Sequence, residues 1–178
     1  MKTRLILIIL FLMGTILACK AVEKSRIYED PAFSFQFPAG WQLMSELWDQ
    51  HKLEESYYGL GTRELVMITS VRKRGESGAW FAVAAAPIPA DSSLDEVFTR
   101  AYAPITGSLQ DITQQTVNIN GLPGLEMRYR RPWGEPWWQF RDIWLEKDGT
   151  AYLLSIHALN LDDYAADMEQ ILNSFALK

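Results

Sequence analysis

The sequence predicts an α+β fold in which an antiparallel sheet carries helices packed on it. Three observations lead there. Several segments alternate apolar and polar residues with a period of two and are joined by turn dipeptides. Two segments show the helical repeat of apolar positions, each behind a capping residue. The composition, 48% hydrophobic and 22% charged over 178 residues, is that of a packed chain, and the length fits one domain.

The chain opens with a leader. Met1 to Arg4 is cationic, Leu5 to Met13 is an unbroken apolar run, and Gly14 to Ala18 is small and apolar before Cys19. This is the pattern of an export signal, and the run is shorter than the roughly 20 residues a helix needs to cross a bilayer. Ile16-Leu17-Ala18-Cys19 resembles the bacterial lipobox. The resemblance implies that residues 1–18 are removed and that Cys19 receives fatty acyl chains of the palmitate kind, which would hold the protein on a membrane stably. Cys19 is the only cysteine, so no internal disulfide is available. Cleavage after Ala21 is the alternative and would leave a free exported protein. Lys20 after the cysteine, rather than aspartate, implies export to the outer membrane in a diderm host and otherwise to the cell membrane. Residues 19–26 are a lipidated tether, and residues 27–178 are the single domain.

Phe33, Phe35 and Phe37 place three rings on one face of a strand, and Pro38-Ala39-Gly40 stops it before Trp41-Gln42-Leu43. The spacing predicts a hairpin at a sheet edge with its aromatic face inward. Residues 46–62 read as a short helix around Leu47, Trp48 and His51 followed by an irregular link. Leu65 to Val71 and Trp80 to Ala86 form a second hairpin across a charged turn. Ser93 and Glu96 make a capping box for a helix in which Leu94, Val97, Phe98, Ala101 and Ile105 share one face, closed by Pro104 and Gly107. Thr113 to Ile119 then leads through Asn120-Gly121 to a strand with Leu125, Met127 and Tyr129 on one face and Glu126, Arg128 and Arg130 on the other. A long aromatic strand from Trp137 to Glu146 turns at Asp148-Gly149 into a last strand, Ala151 to Leu159. Asn160 caps a closing helix with Tyr164, Met168, Ile171, Leu172 and Phe175 in one stripe.

With those elements placed, Tyr28 and Phe33-Ser34-Phe35-Gln36-Phe37-Pro38-Ala39-Gly40-Trp41 resemble the opening of PsbP-like proteins. The capped helix at Ser93-Leu94-Asp95-Glu96, the Asn120-Gly121 turn, the hairpin ending in Ala151-Tyr152-Leu153-Leu154 and the closing helix with Ser174-Phe175 are similar to that superfamily's later pattern. The likeness covers about residues 27 to 177. It implies a three-layer arrangement, helix on sheet on helix, and a non-catalytic binding or assembly role. It supplies no matching metal site, and its motifs serve folding.

The charge balance is acidic, −5 for the whole chain with Lys2 and Arg4 both in the leader, which argues against nucleic acid. His51 and His157 are the only histidines and no cysteine lies in the domain, so a His or Cys zinc cluster is not available unless carboxylates fill it. Asn160, Asp162 and Asp163 begin like a calcium loop but lack its glycine and closing glutamate, and read as a helix cap. Gly59-Leu60-Gly61 lacks the third glycine of a dinucleotide loop. No cofactor is expected. Ser155 and His157 project from the same face of a strand, and Asp142 on the neighbouring strand completes a triad only if the register allows. A mixed polar surface explains them without catalysis, and the chain does not read as an enzyme.

The candidate binding constellation is Arg128, Arg130, Trp133, Trp137, Trp138 and Arg141. Aromatic rings beside guanidinium groups stack on sugars, peptide side chains or headgroups. Alternation puts Trp138, Phe140, Asp142 and Trp144 on one face and Trp137, Gln139, Arg141 and Ile143 on the other, so either set also suits packing, with arginines paired to Glu126 and Glu135. The first expectation is therefore a membrane-anchored envelope lipoprotein that binds an unidentified envelope protein. A carrier of a small apolar or sugar ligand is the alternative, and a hydrolase using Ser155 and His157 is a more distant one.

Overall fold

The computed structural model describes residues 24–46, 65–74, 78–132 and 136–178. Ten strands, two α-helices and three short 3-10 turns are found among them. In order they are β1 (Arg26–Glu29), β2 (Phe33–Phe37), β3 (Trp41–Leu43), β4 (Val66–Lys73), β5 (Ala79–Pro87), α1 (Leu94–Tyr102), β6 (Gln110–Ile119), β7 (Leu122–Pro132), β8 (Trp137–Lys147), β9 (Thr150–Ala158), α2 (Ala165–Ser174) and β10 (Ala176–Leu177).

Seven strands make one antiparallel sheet in the order β3-β4-β5-β9-β8-β7-β6, and β1-β2-β10 form a small second sheet. The two turn dipeptides work as the sequence predicts: Asn120 and Gly121 have φ of 53° and 90°, Asp148 and Gly149 of 51° and 73°. Positive φ at both central positions matches the right-handed twist of the strands they join.

The capping box at α1 is complete. Ser93 Oγ accepts from the Glu96 amide at 3.3 Å, and Glu96 Oε2 accepts from the Ser93 amide at 2.9 Å. Val97, Phe98, Ala101 and Tyr102 are buried from this helix against Met127, Tyr129, Phe140, Trp144 and Leu153 on one sheet face. Each large side chain so removed from water contributes about 1.5–3 kcal/mol. The opposite face, with Phe81, Val83, Ile143, Leu145, Leu154 and Ile156, is covered by Met168, Ile171 and Leu172 of α2 together with Phe33, Phe35 and Phe37 of β2.

The α+β class and the antiparallel sheet are as expected, but the arrangement is not a plain helix–sheet–helix sandwich. A helix and a second sheet share the cover of one face. The expected β2–β3 hairpin is also corrected. Gly40, at φ 82°, turns the chain so that β2 pairs with β1 and β10 while β3 pairs with β4. Alternation marks both strands but does not name their neighbours. Asn160 caps a 3-10 turn, Leu161–Tyr164, from which α2 then starts. The leader, Cys19 and the expected helix at Leu47 lie outside the described residues. Among the described residues no helix is long and apolar enough to cross a membrane.

Candidate functional site

The predicted Trp–Arg constellation is divided by strand alternation. Arg128 pairs across the sheet with Arg141, and Arg130 with Gln139, so these side chains share the α2 face. Arg131 pairs with Trp138 on the α1 face. Trp133 and Glu135 lie outside the described residues.

On the α2 face the arginines are organised by Glu126, whose side chain is 1% exposed. Its Oε1 accepts from Gln115 Nε2 at 2.8 Å and Arg128 Nε at 2.6 Å, and its Oε2 accepts from Arg141 Nε at 2.8 Å. Burial alone would raise the Glu126 pKa, but the hydrogen bonds from Arg141 and Arg128 outweigh it and hold the carboxyl below its ordinary value. Arg141 Nη1 also donates to Glu169 of α2 at 2.8 Å. Arg141 is therefore an internal strut joining α2 to the sheet, and it does not belong to an open surface. Arg128 and Arg130 do: they are 50% and 43% exposed. Arg130 Nη1 donates to Asp111 at 3.2 Å and its guanidinium lies 6.0 Å from the Trp137 ring centre.

The α1 face holds a buried polar row that sequence reasoning only half found. Asp142 is fully buried. Its Oδ2 accepts from Tyr102 Oη at 2.7 Å and Tyr129 Oη at 2.8 Å, and its Oδ1 accepts from Ser155 Oγ at 2.6 Å. Trp144 Nε1 donates to Tyr102 Oη at 3.1 Å. Burial raises the Asp142 pKa, while the Ser155, Tyr102 and Tyr129 hydroxyls oppose that rise. Nothing in the local sequence names Tyr102, which arrives from a helix 40 positions away.

Register does bring Ser155 opposite Asp142. The order of a catalytic triad is not formed, because the Ser155 hydroxyl bonds the carboxylate rather than the imidazole and both side chains are sealed, at 3% and 4% exposure. His157 sits in a row of stacked groups running Arg72, Trp80, His157, Phe140, Tyr129 across five strands. Trp80 and Phe140 lie 6.0 and 5.1 Å from it, nearly parallel. Burial, then the charge of Arg131, lowers its pKa to about 3, so the ring is neutral. Of the expected tryptophans, Trp144 belongs to the core, while Trp137 and Trp138 are half-buried at the start of β8.

A groove of about 560 Å³ opens between the start of α1 and the β6–β8 strands, lined by Leu94, Asp95, Val117, Leu125, Glu146 and Lys147 among others. Its wall mixes charged and apolar side chains. Asp162 and Asp163 lie in the 3-10 turn capped by Asn160, whose Nδ2 donates to Asp163 at 3.0 Å. Among the described residues no group of three or more metal-ligating side chains is found.

No family model and no curated protein matches the chain. Solved structures do. Cyanobacterial PsbP (CyanoP) from Synechocystis aligns with a TM-score of 0.60 at 14% identity, over 90% of this chain and 96% of that one. A Bacteroides thetaiotaomicron protein aligns with a TM-score of 0.55 at 10% identity, over 88% of this chain and 49% of that one. A Pseudomonas aeruginosa protein of unknown function aligns at 0.48 and 13% identity, over 83% of this chain and 92% of that one. The likeness is one of architecture, and the chain carries the PsbP-like fold.

Proposed function

We propose that the chain is a lipid-anchored bacterial envelope protein that works as a non-catalytic binding or assembly factor. In this reading the lipobox directs acylation of Cys19, residues 19–26 tether the domain, and the domain presents one face to a protein of the envelope. Lys20 directs it to the outer membrane in a diderm host. The observation that carries the binding role is the pair Arg128 and Arg130, half-exposed side by side on β7 and fixed by Glu126 and Asp111. Arginines held in place by acidic neighbours lose little freedom on binding and offer planar donors to a partner's carboxylates or carbonyls. Asp142, Ser155, Tyr102 and Tyr129 on the other face are buried and bonded to one another, whereas the α2 side of β7 presents Arg128 and Arg130 to solvent.

The test is affinity capture of the tethered protein from its own envelope beside an Arg128→Ala/Arg130→Ala version. A partner present with the first and absent with the second supports the reading. The same proteins captured by both versions would remove this face from consideration.

A further inference from the structure

We propose that the end of the large sheet nearest the tether rests on the headgroup layer of an anionic bilayer. The inference takes the existence of the tether from the proposed function, and the docking end from the distribution of side chains.

Register defines that end. Arg26, the first residue of β1, pairs with Phe37, the last of β2. Trp41 pairs with Lys73, Ala79 with Ala158, Ala158 with Gln139, and Pro132 with Trp137. The chain enters the described structure there, at Lys24. A tether of residues 19–26 spans at most about 28 Å, about the length of the strands themselves, so this end and not the other lies toward the membrane.

Two independent features suit it to lipid. Among the described residues the exposed large hydrophobic side chains are Ile27 (65%), Val66 (50%), Ile112 (44%) and Leu159 (41%). Three of these, Ile27, Ile112 and Leu159, lie at the tether end: in β1 next to Arg26, near the start of β6, and one position past β9. Trp137 and Trp138, half-buried on opposite faces at the start of β8, join them, and tryptophan favours the interface between headgroup and acyl chain.

The second feature is charge. Lys24, Arg26, Arg72, Lys73, Arg74, Arg130 and Arg131 stand at this end against Asp111, Asp162, Asp163 and Asp167, with Arg130 bonded to Asp111, Lys73 to Asp167, and the Arg26 and Arg131 guanidinium groups over the Phe37 and Phe140 rings. The opposite end carries Glu29, Asp30, Asp91, Asp95, Glu96 and Asp148 against Lys147 and Lys178. An acidic protein thus has cations gathered at one pole. An anionic leaflet attracts that pole, repels the other, and the arginine and lysine stems lie along the surface while their heads reach phosphate.

The test uses the full-length protein reconstituted into vesicles of phosphatidylethanolamine and phosphatidylglycerol whose acyl chains are brominated. Trp137 and Trp138 are two of seven tryptophans, so emission should fall by about a tenth or more relative to unbrominated vesicles, and Trp137→Phe/Trp138→Phe should at least halve that quenching. Arg26→Glu/Arg74→Glu, which leaves the rings in place, should also halve it. Protein that floats with the vesicles yet is not quenched overturns the docking while sparing the anchor. Absence of an acyl mass on Cys19 overturns the anchor alone, and the docking then still requires quenching when the protein is added to anionic vesicles. Shielding of the two tryptophans from acrylamide in native envelopes but not in lipid vesicles would assign this end to a protein and overturn the proposal.

Discussion

Tyr102 Oη lies 2.7 Å from Asp142 Oδ2, and through that bond the last turn of α1 is fastened to the middle of the large sheet. Burial also lifts the Tyr102 pKa well above its ordinary value, with the nearby Asp142 adding to the rise, so the phenol stays a donor at every physiological pH. Tyr102→Phe leaves a buried carboxyl with one donor fewer and Trp144 Nε1 without its acceptor. The expected loss is about 1–3 kcal/mol, read as a lower urea midpoint. A variant as stable as the parent would show that Tyr129 and Ser155 suffice for Asp142.

His157 sets an acid limit. Its pKa falls from 6.5 unfolded to about 3 folded, so between those values the unfolded chain takes up a proton the folded one refuses. Stability should therefore fall as pH drops through that window, by up to about 1.4 kcal/mol per pH unit. Asp142 works in the opposite sense: its raised pKa makes its contribution largest in acid and smaller as pH rises through the folded value. His157→Phe should flatten the urea midpoint between pH 6 and pH 4 relative to the parent.

Glu126 and Glu169 both meet Arg141, yet they should behave differently on substitution. Glu126→Ala removes a buried acceptor of three donors and leaves the mostly buried Arg141 charge short of its inner partner, a loss of about 3–5 kcal/mol. Glu169 is 53% exposed, and Glu169→Gln should cost less than about 1 kcal/mol. The lowered Glu126 pKa adds stability above the ordinary carboxylate range that is lost as pH falls through the folded value. Thermal melts of the two variants at pH 7 separate the cases.

Arg128→Ala/Arg130→Ala should cost about 1–3 kcal/mol, nearly all of it from the donor that Arg128 gives the buried Glu126 carboxylate, because Arg130 and Asp111 are both exposed. Partner capture should be lost all the same. A drop in melting temperature beyond that cost would assign the pair to structure instead.

Cys19→Ser should move the protein out of the lipid-modified membrane fraction, checked by detergent partition and by the mass of the amino-terminal peptide. Unchanged partition into the detergent phase would sink the lipid anchor.

Strands and turns were legible because period-two alternation and Asn-Gly or Asp-Gly pairs are local signals. The partners of β2 were not, since β1 and β10 are four and two residues long and exist only by pairing with it. Alternation along β8 separated Trp137 from Trp138 correctly, but could not show that Arg141 was enclosed, because Glu169 approaches from another element. Likewise Ser155 and Asp142 were visible as neighbours, whereas the tyrosine that completes their arrangement came from a helix that no strand pattern locates.

The small sheet has an ordering in time built into it. β2 is flanked by the first and the last of the described strands, and the Gln36 amide donates a hydrogen bond to Ser174 Oγ across 138 positions. During synthesis β2 is made well before α2 and β10, which cover it. Without Ala176 and Leu177 the Phe33–Ser34 edge of β2 is open, while Phe33, Phe35 and Phe37 stay packed on the large sheet and α2. Closure of that edge therefore depends on a contact between segments far apart in sequence, the kind of pairing that forms late in folding.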